Sequence, residues 1–180
     1  YFFKISQASS KKYDLLNEIS PSIQKYLQLG KKGKKEETPK PGEVVFEKVY
    51  NKLIGSNILA LRAAEKEAKS LGFNTLILSS SIVGETREAA LFHSAIAKEV
   101  ISSGNPIPKP ACLLSGGETT VTIKGNGLGG RNQEFTLAGT IEMSGIEKVV
   151  LLSGGTDGTD GPTDATGAVA DTTTVRRAIS

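Results

Sequence analysis

Val149-Val-Leu-Leu-Ser-Gly-Gly-Thr-Asp-Gly-Thr-Asp-Gly-Pro-Thr-Asp164 is the stretch that decides how this chain is read. Its apolar start has the composition of a buried strand, and that strand opens at once into a loop dense in glycine and carboxylate. Open α/β folds keep their ligands at the carboxyl ends of strands, so the segment predicts an α/β fold with a site here. Asp157, Asp160 and Asp164 are the acids of the loop. Glycine permits positive φ and close approach of the backbone, while carboxylates hold a cation or orient a hydroxyl. Surface turns use the same residue types, so composition alone leaves an ordinary turn open. The aspartates are spaced three and then four apart, which does not fit the alternating acids of an EF-hand.

Immediately upstream, GNGLGGRNQE leads into a predicted helix over Phe135 to Met143. Gly125, Gly127 and Gly130 satisfy the spacing of a dinucleotide fingerprint. Against that reading, Glu147 precedes the next strand instead of standing at its end, where a ribose-binding acid is needed. Arg131 follows Gly129-Gly130 at the mouth of the helix, so its planar donor fork and the helix N–H groups could meet one anion. A simple pair with Glu134 is the alternative. A cationic anchor beside carboxylates suits phosphoryl transfer, where positioning and charge compensation dominate. Further upstream, Ala111 to Ser115, a turn at Gly116-Gly117, and Thr119 to Lys124 read as an antiparallel pair.

The connection GNPIPKP suggests a domain boundary near residue 109. Before it, Glu85 to Ser102 is a predicted helix with Ala89, Phe92, Ile96 and Val100 on its apolar face. His93 falls off that stripe and reads as a surface or boundary residue. Leu76, Ile77 and Leu78 supply a buried strand, Ile58 to Leu71 a helix ended by Gly72, and Asn51 to Asn57 a short strand. That order is a βαβ unit, and it puts Gly55, Ser56 and Asn57 at a helix N-terminus, where anions bind. Residues 14–29 read as helical, interrupted by Pro21 and closed by Gly30, and a polar linker follows over residues 31–42.

At 180 residues the chain has room for one core or two small ones, and 38% hydrophobic with 23% charged residues is a folded, not a disordered, composition. The net charge of +3 owes much to Lys31, Lys32, Lys34 and Lys35 in one loop, which reads as a solvated linker and not as a nucleic-acid surface. No apolar run approaches the ~20 residues of a membrane helix, and no signal-peptide pattern is present. Cys112, the single cysteine, has no internal disulfide partner, which is compatible with a reducing compartment. The sequence opens at Tyr1 and stops at Ser180, where Thr172 to Ala178 reads as a helix, so it is expected to be a fragment.

SGGETTV at 115–121, GLGGRNQE at 127–134 and SGGTDGTDGPTDATGA at 153–168 together resemble the MOFRL domain of the class II glycerate kinases. Upstream, EETPKPGEVVFEKVYNKLIGSNILAL, LGFNTLILSS and GETREAALFHSAIAKEV are similar to the later part of that family's larger domain. The resemblance implies part of a Rossmann-like domain over 1–109 followed by a mixed α/β MOFRL domain over 110–180, both incomplete. It implies ATP-dependent phosphorylation of D-glycerate to 2-phosphoglycerate, with Mg²⁺, in a cleft between two α/β domains. Arg131 would bind substrate or the transferring phosphate, and Asp157 would orient the hydroxyl or assist its deprotonation. Asn132, Glu134 and Asp160 would contact substrate, Asp157 and Asp160 the metal, and Gly55, Ser56 and Asn57 the nucleotide. Which of Asp157 and Asp160 does the chemistry stays open.

The family's glycine- and serine-rich nucleotide loop and its catalytic lysine have no counterpart here, so the isolated chain is expected to be inactive. Two other functions remain: a module that binds an anion or sugar acid without chemistry, and an NAD(P)H-dependent hydroxypyruvate reductase. Expected partners are the small substrate and a nucleotide, with neither nucleic acid nor membrane, and the oligomeric state is open. The cytoplasm is the expected compartment, with the mitochondrion as the alternative.

Overall fold

A computed structural model describes residues 2–179. The chain forms two compact units, residues 1–52 and residues 53–180.

In the first unit, helix α1 (Phe2–Lys12) packs on helix α2 (Pro21–Lys31). Pro21 opens α2, as its fixed φ allows at a first helical position, and Ser20 accepts the N–H of Ile23 at 3.5 Å. Gly30 does not close this helix. It lies inside the last turn beneath the Phe3 ring, and a Cβ there would fall 2.2 Å from Phe3 Cδ1. The left-handed residue beyond the cap is Gly33, at φ +68°.

The second unit is built on a parallel pair. Strand β1 (Asn74–Glu85) runs into helix α4 (Thr86–Ser103), which returns the chain to strand β2 (Ala111–Thr120), paired in parallel with β1. Helix α3 (Asn57–Ser70) precedes them and packs on both strands. Helix α5 (Arg131–Glu142) lies against α4 and against an antiparallel ribbon of β3 (Val150–Gly154) and β4 (Gly167–Asp171). A short helix α6 (Thr174–Ile179) ends the described chain. The fold is α/β, and the GNPIPKP connection runs from α4 into β2, the strand paired with β1.

Two local expectations are corrected. Residues 51–56 form no strand, so α3 is not preceded by one. Ala111 to Thr120 is one continuous strand, not two arms of a hairpin, because Gly116 and Gly117 stay extended where their neighbours leave no room for a side chain. A Cβ on Gly117 would sit 2.0 Å from the Ile82 carbonyl oxygen, and one on Gly116 2.1 Å from Asn57 Oδ1. Glycine is there to let β1 and α3 approach, not to turn the chain.

The α4–α5 contact is made by small residues. Thr86, Ala90, Ser94 and Val100 are the buried positions of α4, and Thr136, Gly139 and Thr140 those of α5. Phe92, expected on the buried stripe, is 64% exposed. At Gly139 the two helices come close, a Cβ there standing 3.5 Å from Ser94 Oγ of α4. Two of the buried hydroxyls are satisfied one turn back, Ser94 donating to the Ala90 carbonyl at 2.9 Å and Thr140 to that of Thr136 at 2.6 Å, while Thr136 reaches the Ala168 carbonyl of β4 at 3.2 Å.

Candidate functional site

The acidic loop after β3 turns back on the start of α5, and Asp160 is the residue that joins them. Only 2% of it is exposed. Its Oδ1 accepts the backbone N–H of Asn132 at 2.9 Å and the Asn132 side-chain amide at 3.0 Å, and its Oδ2 accepts the backbone N–H of Gln133 at 2.9 Å. These N–H groups are among those a helix leaves unpaired in its first turn, and a negative charge is favoured there by the helix dipole. Burial alone would raise the Asp160 carboxyl, but the hydrogen bonds from Asn132 and Gln133 outweigh it and hold the group below the ordinary aspartate value. The loop is tied further: Gln133 Nε2 donates to Thr163 Oγ1 at 3.0 Å, and that hydroxyl donates to the Asp160 carbonyl at 2.7 Å.

Glycines make this approach possible. A Cβ on Gly130 would lie 2.5 Å from Asp160 Oδ1, and Gly161, at φ +60°, would bring one within 2.2 Å of the Gly129 carbonyl oxygen. Gly125 and Gly127, by contrast, have open space around them. Of the three glycines that match a dinucleotide fingerprint, only Gly130 is required by its surroundings, where it makes room for Asp160. Two of the N–H groups a pyrophosphate would use, those of Asn132 and Gln133, are already bound by Asp160.

The geometry sorts the expected site residues into two kinds. Asp160 and Asn132 are internal ties, since Asn132 also accepts the Ser153 hydroxyl at 2.7 Å. Both Asp160 oxygens accept hydrogen bonds from the start of α5, so the residue expected to contact substrate and metal ties the loop to that helix. Asp157 is exposed, with Thr159 N–H 3.4 Å from its Oδ1. A point where a Cβ on Gly155 would stand is 2.7 Å from that oxygen and 3.4 Å from Asn132 Nδ2, so carboxylate and amide border one small space. Arg131 does not pair with Glu134; its guanidinium binds Glu118 on β2, while Glu134 takes Arg87 of α4 at 3.3 Å. Glu118 was not singled out from the sequence, although it stands inside the SGGETTV motif.

Gly55, Ser56 and Asn57 open α3, with no side-chain cap from Ser56. Asn57 Nδ2 donates to the Ser80 carbonyl of β1 at 2.9 Å. The Asn57 side chain also lies over Gly116, two residues before Glu118 on β2. Alternate residues of a strand share a face and stand about 7 Å apart, so the starts of α3 and α5 meet β2 at adjacent positions of one face.

No group of three or more His, Cys, Asp or Glu that could hold a metal occurs among the described residues. No helix of the described residues is long and apolar enough to cross a membrane.

Residues 111–180 match the MOFRL family. The chain is 40% identical over 166 residues to a glycerate 2-kinase of Pyrococcus horikoshii, an alignment covering 92% of this chain and 37% of that one. It is 48% identical over 141 residues to a D-glycerate 2-kinase of Thermotoga maritima, covering 78% and 33% respectively. The crystal structure of a glycerate kinase from Thermotoga maritima superposes with a TM-score of 0.79 at 41% identity, over 98% of this chain and 40% of that one. The chain thus spans well under half the length of these relatives.

Proposed function

Because the chain belongs to the glycerate kinase family, we propose that it carries the acceptor side of an ATP-dependent phosphorylation of D-glycerate to 2-phosphoglycerate within a full-length enzyme. The observation that carries this reading is the pairing of an anchored loop with two available charges. Asp160 is buried and fixed, and from the structure it fixes rise Asp157 and Arg131. A kinase needs positioned charges more than covalent chemistry, and rigid support beneath exposed groups is what such positioning requires.

Arg131 is suited to the substrate carboxylate or the transferring phosphoryl group. Its side chain is 37% exposed and its partner Glu118 is 72% exposed, so the ion pair is a surface one, worth about 0–1 kcal/mol. A ligand anion can meet the exposed part of the guanidinium while Glu118 stays bound to it and holds it in place. Asp157 is suited to the reacting hydroxyl: it accepts that hydrogen bond as the oxygen attacks the γ-phosphorus, and the proton leaves toward the carboxylate while the bond to ADP breaks. Asn132 Nδ2 beside it offers a donor to the same ligand.

Gly55, Ser56 and Asn57 are our proposed phosphate contact at the start of α3, supported by their neighbouring attachment to β2. Magnesium would screen phosphate charge if it arrived with the nucleotide, and Asp157 is the exposed carboxylate of the loop that could face it. A hydroxypyruvate reductase is the weaker reading, since Asp160 fills the helix end that a dinucleotide would use. Coupled ADP release with D-glycerate, followed by assignment of the phosphorylated oxygen, tests the proposal.

A further inference from the structure

His93 stands at the junction of three elements that position the charged pair. Its Nδ1 is 2.6 Å from the Ala89 carbonyl oxygen, one turn back on α4, and its Nε2 is 2.8 Å from Ser115 Oγ on β2. A carbonyl oxygen only accepts, so in the neutral ring Nδ1 carries the proton and Nε2 is left as an acceptor. The Ser115 hydroxyl therefore donates to His93. The imidazole also meets the Phe135 ring of α5 in an edge-to-face contact, with centroids 5.1 Å apart.

Each of these contacts lies close to one member of the Arg131–Glu118 pair. Phe135 is one helical turn beyond Arg131, and Ser115 is three residues before Glu118. Two turns earlier on α4, Thr86 secures the other side of the same strand segment. Its hydroxyl is completely buried and 2.8 Å from Thr119 Oγ1, and it lies 2.9 Å from the Thr120 carbonyl oxygen. The run Gly116–Gly117–Glu118 is thus held at both ends by α4, and two glycines leave it little rigidity of its own.

We propose that His93 is a positioning residue for the reaction: by holding Ser115 and Phe135 together it sets β2 against α5, and so fixes where Glu118 presents the Arg131 guanidinium. This rests on the kinase reading above. The imidazole needs no contact with substrate, and the Ser115 hydroxyl acts as a tie and not as a nucleophile.

The test uses the full-length enzyme with His93→Ala, Ser115→Ala, the double variant, and His93→Gln, whose amide oxygen can accept from Ser115 in place of Nε2. His93→Ala is expected to lower kcat roughly ten- to a hundredfold, since misplacing a charged group by about 1 Å has effects of that size. The KM for ATP is expected to change by less than about twofold, with kcat taken per folded enzyme as fixed by circular dichroism, since loss of folded protein alone would also lower the apparent kcat at constant KM. The double variant should be no worse than the more damaging single one, because both remove the same tie, and His93→Gln should recover most of the loss. Fully additive losses, or a kcat unchanged in His93→Ala, would overturn the proposal. Should His93→Ala fail to fold, Ser115→Ala alone decides the matter by the same kcat criterion. A wild-type enzyme without D-glycerate turnover would instead defeat the kinase reading, and this inference with it.

Discussion

The Asp160 carboxylate accepts the Asn132 backbone N–H at 2.9 Å across 28 residues of sequence, so the acidic loop and the start of α5 form one body. Hydrogen bonds to a charged group are worth about 1.5–3 kcal/mol each in favourable cases, and loss of the acceptor also strands buried donors. Asp160→Ala is expected to destabilise the folded protein by about 2–4 kcal/mol. Asp160→Asn should be nearly as damaging, because its NH₂ would face one of the N–H donors now bound by carboxylate oxygen. Urea unfolding of the full-length protein checks both.

The same contact sets a dependence on pH. The folded carboxyl lies below the unfolded value, so its stabilisation is fully present above about pH 4 and fades as pH falls through the lower folded value. The stability gap between wild type and Asp160→Ala should therefore be constant at neutral pH and narrow only in acid. Unfolding midpoints for the two proteins from pH 7 to 3 measure this; a gap that widens in acid would contradict it.

The glycines divide into two classes. Gly161→Ala places a Cβ in the left-handed region and against the Gly129 carbonyl, and Gly130→Ala places one against Asp160. Both are expected to destabilise by about 1–3 kcal/mol and to impair activity. Gly125→Ala meets no neighbour within 4 Å and should be close to neutral. Equal effects at all three positions in thermal melts and kinetics would argue for a ligand-contacting glycine loop.

In α2, Gly30→Ala has opposing tendencies. Alanine favours a helix over glycine by about 1 kcal/mol. The Phe3 ring, 3% exposed, occupies the space of the new methyl. Overpacking of this kind typically costs about 1–3 kcal/mol, so net destabilisation is expected, and Phe3→Leu should relieve it. A melt of the double variant compared with each single one gives the answer.

What the sequence made legible was what depends on local pattern. The strand around Leu76–Leu78, the helix after Ser56, the end at Gly72 and the glycine-acid loop after Leu152 follow from periodicity and turn chemistry. The double glycine at 116–117 misled because its cause is tertiary: Ile82 and Asn57 exclude a side chain there. The roles within the loop were hidden for the same reason. Asp157 and Asp160 look alike in sequence, and only the arrival of the Asn132 and Gln133 N–H groups makes one a buried tie and leaves the other exposed. Glu118 and His93 gave no local signal of their contacts, since each meets a partner on another element.

The most direct measurement is kcat for ADP release with ATP and D-glycerate by the full-length enzyme and its Arg131→Ala variant, with folding verified by circular dichroism. Loss of a charge partner to the transferring group should lower kcat by about 10² or more, with 2-phosphoglycerate as the wild-type product. A folded variant that turns over D-glycerate within a few-fold of wild type would contradict a role for Arg131 in holding the substrate or the transferring phosphoryl group.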